Sequence, residues 1–377
     1  MRSYQICTSC VMDTSDESIE FDDEGICTHC HTVGPSVSKA LSSVSDSSLA
    51  KTVDKIKSRG RDRDYDCILG LSGGVDSSYL AIKAKEWGLR PLVFHVDAGW
   101  NSELAVHNIE RICKTCDYDL HTYVVDWKIM RDLQVAYLKS GVANQDVPQD
   151  HIFLSSQYHF AVENDIRFLL SGGNLASESV SPDIWNHSAL DAINLHDIHR
   201  RFGAEKMLNY KTVSFSQYYF WYPFVKKMQV FRPLNLINYN YIDAREALKK
   251  DVGWRDYGRK HGESRFTKIF QNYFLPKRFG YDKRRIHYSS LILSGQMSRE
   301  QALALLQEPL YEPTELEADI DYFCKKLRIS RTDFDDYIQM PVKHYSDYRN
   351  WDRRLKLAKT VQNSLQRLIG RPLTAYS

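Results

Sequence analysis

The stretch LGLSGGVDSSYLA, residues 69–81, decides the fold. An apolar run, "CILGL", leads into a glycine turn, and the turn opens into "DSSYLAIKAKEWG", whose spacing is helical and whose Gly88 reads as a helix stop. A strand, turn and helix start in that order make a concave nest of backbone N–H groups, with the positive end of the helix dipole behind it. An anion is favoured there. Gly73 and Gly74 let the backbone approach a ligand, and the hydroxyls of Ser72, Ser77 and Ser78 offer further donors to phosphate oxygens. No lysine follows the glycines, so the turn is not GxxxxGK[ST], and its spacing also fails GxGxxG.

Outward from this turn, short apolar runs alternate with helical patterns between Tyr65 and Leu175: "CILGL", "PLVFHV", "TYVVDW" and "IRFLLSGG" read as strands. Strands buried on both faces and separated by helices imply an α/β, doubly wound parallel sheet. Ligands of such sheets bind beyond the carboxyl ends of the strands. Asp97 after the second run, and Gly172, Gly173, Asn174 and Glu178 after the fourth, are therefore expected near the same ligand as the glycine turn.

The chain divides into a cysteine-bearing unit at 1–34, a Ser-rich linker with some helical content at 35–60, the α/β domain at 61–250 and a mostly helical region at 251–377. Residues 176–240, aromatic and Asn-rich with weak periodicity, read as an insertion over the carboxyl edge of the sheet. Cys7-x-x-Cys10 and Cys27-x-x-Cys30, sixteen residues apart, have the spacing of a structural zinc site with four thiolates, and His29 and His31 stand by as lesser candidates. A unit this short has no core of its own, so the metal would supply its folding energy. Cys113-x-x-Cys116 falls in a helical pattern, where half-buried thiols are ordinary.

Fifty Lys/Arg against 48 Asp/Glu leave a formal charge of +2, which argues against a nucleic-acid coat. No apolar run is long enough for a membrane span, and the first residues lack a signal-peptide pattern, so a cytoplasmic location is expected. Between Asp251 and Arg285, ten Lys/Arg face four Asp/Glu, a local charge of 10 − 4 = +6 in an otherwise slightly acidic chain. That segment suits a multiply charged anion.

Ser-Gly-Gly-x-Asp-Ser after a first strand resembles the pyrophosphate loop of the PP-loop ATP pyrophosphatases, the adenine nucleotide alpha hydrolase-like superfamily of GMP synthetase, asparagine synthetase and tRNA thiolation enzymes. In that setting the loop holds departing pyrophosphate and Asp76 helps to bind Mg²⁺. Longer stretches are similar to the N-acetyl sugar amidotransferases of bacterial surface-polysaccharide biosynthesis, the lipopolysaccharide O-antigen and pseudaminic acid enzymes. They are "CTSCVMDTSD", "GICTHC", "HVDAGWNSELAV", "SGGNLASES", "GWRDYGRKHGESRFTKIFQNYFLP" and "SSLILSGQMSREQAL".

The resemblance implies ATP-dependent conversion of a sugar acetamido group, on a sugar or nucleotide sugar, into an acetamidino group, with AMP and pyrophosphate released. ATP, Mg²⁺ and structural Zn²⁺ are the implied cofactors. Arg255, Lys260, His261, Arg265 and Lys268 would hold phosphates, and Glu263 would face a sugar hydroxyl or incoming ammonia. Asp76, Lys260, Glu263 and Arg265 are the catalytic candidates. No glutaminase segment is evident, so ammonia would come from a separate glutaminase of the histidine-biosynthesis type, with its cyclase-like partner. The competing reading is a tRNA sulfur transferase using Cys113 and Cys116.

Overall fold

The computed structural model describes residues 3–369 except 186, 259 and 261, and side chains up to 360. Helices α1 (Thr28–Ser42) and α2 (Asp46–Gly60) lead into β1 (Cys67–Gly70), α3 (Val75–Glu86), β2 (Pro91–Asp97), α4 (Glu103–Cys116) and β3 (Leu120–Val124). Next come α5 (Trp127–Ser140), α6 (Val147–Glu163), β4 (Phe168–Leu170), the single turn α7 (Leu175–Glu178), α8 (Ala192–Phe202), β5 (Gln229–Phe231) and α9 (Tyr241–Val252). The remaining helices are α10 (Arg265–Ile269), α11 (Leu275–Phe279), α12 (Lys283–Leu293), α13 (Arg299–Leu306), α14 (Pro313–Leu327), α15 (Arg331–Gln339) and α16 (Asp352–Ile369).

All pairings in the sheet are parallel, in the order β3-β2-β1-β4-β5. Side chains alternate across it with the period of two that a strand imposes. Cys67 and Leu69 of β1 and Phe168 and Leu170 of β4 enter one core with α2, α3, α4 and α9, whereas Ile68 and Leu169 enter the other with α5, α6 and α8. Helices on both faces make this the doubly wound α/β architecture expected from the apolar runs. A third core joins the cysteine unit to the C-terminal helices, where Cys7, Cys10, Met12 and Ile19 pack with Phe266, Phe270, Phe274 and Phe323.

Three elements depart from the sequence reading. The third strand is Leu120–Val124, ahead of "TYVVDW", because the Asp126 carboxylate accepts the Lys128 N–H and starts α5 at Trp127. Residues 176–240 contain β5, which pairs with β4 and forms the sheet edge. This segment therefore contributes to the sheet itself. Helix α1 also begins inside the cysteine unit, at Thr28, and crosses the expected boundary at 34.

Candidate active site

The turn between β1 and α3 sits at the carboxyl end of the central strand. Gly73 has φ +88°, a left-handed conformation that favours glycine, and a Cβ there would meet the Tyr257 hydroxyl at 3.0 Å and the Ala105 carbonyl at 3.1 Å. Gly74 is the N-cap of α3. The turn is braced internally: Ser72 Oγ accepts the Gly74 N–H at 3.2 Å and lies 3.2 Å from Ser77 Oγ, which accepts the Ser72 N–H at 3.3 Å. Gly172, in the loop after β4, approaches so closely that an added Cβ would lie 2.9 Å from Ser77 N and 3.0 Å from the Asp76 carbonyl carbon. Only glycine permits that contact, and it brings the two loops together over the start of α3.

The basic C-terminal segment closes the third side. Trp254 Nε1 and the Tyr257 hydroxyl both donate to the Gly73 carbonyl, at 2.8 and 3.0 Å. Arg111 donates through Nε and Nη2 to the Val252 carbonyl, and Asn108 exchanges two hydrogen bonds with the Arg255 backbone. Ser102 N–H donates to the Glu263 carbonyl and Arg265 N–H to the Trp100 carbonyl, so residues 252–255 and 263–265 are strapped along α4 and the loop after β2. Lys260 consequently reaches the mouth of the glycine turn.

A cavity of about 180 Å³ lies where these segments meet, lined by Ser72, Gly74, Asp76, Ser77, Gly172 and Gly173 on one side and by Glu178, Tyr241, Lys260 and Glu263 on the other. Lys260 Nζ is 3.0 Å from Glu178 Oε1 and 3.9 Å from Asp76 Oδ2. Asp76 Oδ1 accepts from Asn174 Nδ2 at 2.9 Å and from the Tyr239 hydroxyl. Burial pushes the Asp76 carboxyl above its usual range, opposed by Lys260 and reinforced by Glu178. Burial disfavours the Lys260 ammonium, but Glu178 and Asp76 outweigh it and raise its pKa. Lys260 is therefore a firm cation, the only one among the described residues that line this cavity.

The charge balance shows what the cavity can take. Asp76, Glu178, Asp256 and Glu263 against Lys260 amount to −4 + 1 = −3 beside a helix N-terminus that favours anions. A polyphosphate would be repelled by the carboxylates unless a divalent cation came with it. The carboxylates do not form a ready-made metal cage, since the cysteine cluster is the only close group of potential ligands among the described residues. This fits Mg²⁺, which characteristically takes one or two carboxylates and completes its octahedron with water and phosphate oxygens.

Not every candidate from the sequence converges here. Arg265 places its guanidinium over the Tyr322 ring, 4.2 Å from the centroid, and Lys268 pairs with Glu315 and with Asp319 at 2.6 Å; both turn toward α14 and away from the glycine turn. Ser78 is fully buried and does not line the cavity. Asp97 accepts the Gly99 N–H at 2.7 Å and lines a separate groove of about 570 Å³ between α4 and β3, together with His95 and Asn101. His261 lies outside the described residues. Tyr239, Trp254 and Tyr257 join the site without having been singled out in the sequence: their segments carry no periodic signal, although Trp254 and Tyr257 lie in the quoted "GWRDYGRKHG".

The cysteine unit forms a second centre. The sulfurs of Cys7 and Cys30 are 3.8 Å apart, Cys10 and Cys27 3.6 Å, and Cys27 and Cys30 3.7 Å. A tetrahedron with metal–sulfur bonds of about 2.3 Å has edges of about 3.8 Å, so the four thiolates fit zinc. His29 and His31 are not ligands in this arrangement: they face Asp16 and Asp22, at 2.7 and 2.8 Å. Cys113 and Cys116, by contrast, are buried in α4, with burial pushing both thiols up to about 11. They are thus protonated at neutral pH, which is unfavourable for sulfur transfer.

Residues 263–362 match the family model described as "LPS biosynthesis protein WbpG-like, C-terminal domain". No curated protein matches the chain. Among solved structures, the NH3-dependent NAD synthetase from Campylobacter jejuni subsp. jejuni NCTC 11168, in complex with the nitrate ion, is similar at 15% identity and a TM-score of 0.27. That overlap covers 35% of this chain and 58% of the other, too slight a likeness to argue from. The likeness to WbpG-like LPS biosynthesis proteins thus rests on the C-terminal segment, residues 263–362.

Proposed function

We propose that this protein is an ATP-dependent amidotransferase that converts the acetamido group of a sugar or nucleotide sugar into an acetamidino group for lipopolysaccharide O-antigen or a related surface glycan. The observation that carries the reading is the meeting of Asp76, Glu178 and Lys260 over a lysine-free glycine turn, beside a segment of the WbpG-like type. A γ-phosphoryl transfer loop uses a lysine of its own; here the cation comes from Lys260, and the turn suits a pyrophosphate that leaves as one unit.

In this mechanism the acetamido oxygen attacks the α phosphorus of ATP, and the bond to the bridging oxygen breaks to release pyrophosphate. Ammonia then adds to the imidate carbon, AMP departs with the former acetamido oxygen, and proton loss leaves the amidine. The α3 N-terminus, Ser72 and Ser77 would hold the pyrophosphate oxygens, and Lys260 would offset charge as it builds on them. Mg²⁺, held by Asp76 with phosphate oxygens, would supply Lewis-acid stabilisation. Glu263, whose Oε1 lies 3.1 Å from where a Gly74 Cβ would stand, would receive a sugar hydroxyl or ammonia. The ammonia would come from a glutaminase subunit of the histidine-biosynthesis type with its cyclase-like partner, and no nucleic acid takes part.

The test incubates the protein with ATP, Mg²⁺, ammonium and candidate N-acetyl sugar nucleotides. Exchange of oxygen for NH should lower the sugar's mass by about one unit as AMP appears, as displacement at the activated carbon requires. AMP formation without any change in the sugar would sink the assignment.

A further inference from the structure

An exposed aromatic face lies far from the cavity. Residues Gln217–Val225, QYYFWYPFV, form a π-helical segment that buries Tyr222 in a stack on Tyr158, ring centroids 5.3 Å apart, and turns its other side outward. Phe220, Trp221, Phe224 and Val225 are 51, 47, 61 and 54% exposed. The segment runs into β5, whose first residue, Gln229, donates its N–H to the Arg167 carbonyl at the start of β4. The aromatics therefore stand toward the amino edge of the parallel sheet, and the glycine turn is at the carboxyl edge.

Cations surround this face. Lys226 lies over the Trp221 ring, 5.9 Å from its centroid, and Lys227 follows. Arg63 and Arg167 flank Asp165 at the same edge and Lys226 also acts on that carboxylate, with Asp62 and Asp64 beside Arg63 and Glu163 paired to Lys211. Trp351 packs edge-on against Phe215 and Tyr219, at 5.5 and 5.7 Å, which starts α16 beside the aromatic segment. The first turns of α16 expose Arg353, Arg354, Lys356 and Lys359 together with Leu357 at 67%, against the single acid Asp352.

We infer that this face docks on the surface of an anionic lipid bilayer, with Phe220, Trp221 and Phe224 entering the headgroup boundary and the lysines and arginines meeting lipid phosphates. Half-exposed Trp and Phe edged by Lys are suited to an interface that is apolar on one side and charged on the other. A second copy of the chain is a poor occupant, because a two-fold contact through this face would bring two cation-rich patches together. The contact is peripheral, since no described helix is long and apolar enough to cross a membrane.

Co-sedimentation of the full chain with phosphatidylcholine vesicles, with and without phosphatidylglycerol, tests this. The protein is expected to pellet with the anionic vesicles, less so as salt rises, because phosphate–cation attraction is screened. Replacing Phe220, Trp221 and Phe224 together by Ser should weaken binding by about tenfold or more while leaving the melting temperature unchanged. Lys226→Ala with Lys227→Ala should weaken binding and flatten its salt dependence. No pelleting with either vesicle, equal binding of both variants and the parent, or a solution oligomer or protein complex that the serine variant dissolves would each overturn the inference.

Discussion

Asp76 is the side chain on which most of the proposed site turns. The turn pattern alone makes it an exposed carboxylate, but in the fold it is half-buried and held by Asn174, Tyr239 and Lys260. Asp76→Asn keeps an oxygen for the Asn174 and Tyr239 donors but loses the charge that a metal and Lys260 would use. AMP formation in that variant should fall by about 100-fold or more, the scale seen when one preorganised electrostatic contact is removed. Its melting temperature should move little, because the hydrogen bonds it needs survive. Near-normal turnover would show that Asp76 has no role in metal binding. The sequence made Ser72, Gly73, Gly74, Ser77, Gly172, Gly173 and Asn174 legible because turn chemistry is local. Tyr239 was not, since a single tyrosine becomes part of the site only when the chain folds back from 163 residues away.

Among the elements, the cysteine knuckle and the C-terminal helices stabilise each other. Arg299 of α13 donates to the Cys7 and Cys10 carbonyls at 2.8–3.1 Å, and Arg285 of α12 pairs with Asp13 at 2.9 Å and donates to the Val11 carbonyl at 2.8 Å. The knuckle thus caps the helices that carry the WbpG-like segment, in a core shared with Phe266 next to Arg265. Stripping zinc with a chelator, or replacing Cys10 with Ser, should lower the melting temperature and loosen α12 and α13 along with residues 1–34, because metal binding and folding are one equilibrium. Metal analysis should find one zinc per chain, and hydrogen exchange should show protection lost in both regions; loss confined to the first 34 residues would contradict the coupling. The four-thiolate spacing was plain in the sequence. What the knuckle docks against was not, because contacts between residues nearly 300 positions apart leave no periodic trace. Strand β5 escaped for a related reason: three residues are too few to set an alternation, and only pairing with β4 makes them a strand.

At the scale of the whole molecule, the dense packing behind the sheet makes stability depend on pH. His151 of α6 and His187 are both buried, and burial pushes both down to about 4. His151 sits between carbonyl and amide partners, with Nδ1 2.8 Å from the Ala189 carbonyl and Nε2 accepting the Val213 N–H at 3.2 Å, so its neutral form is built into the fold. An unfolded histidine titrates near about 6.5, so between there and 4 the unfolded chain binds protons that the folded chain refuses. Stability contributed by these histidines is complete above that range and is lost as pH falls through it. Asp191 acts in the opposite sense: burial raises it to about 6, so the folded chain binds its proton more readily than the unfolded chain over roughly the same range. Among these three groups the two histidines outweigh the one carboxylate, and burial also lowers His95 and His196, in the sense of His151, while it raises Asp76, in the sense of Asp191. Melting temperature should therefore decline steadily as pH drops from 7 toward 4, and it should decline less in a His151→Gln variant, which keeps an amide donor and acceptor without the titration. A wild-type profile that is flat or rises over this range would contradict the buried neutral histidines. So would an unchanged slope in the variant.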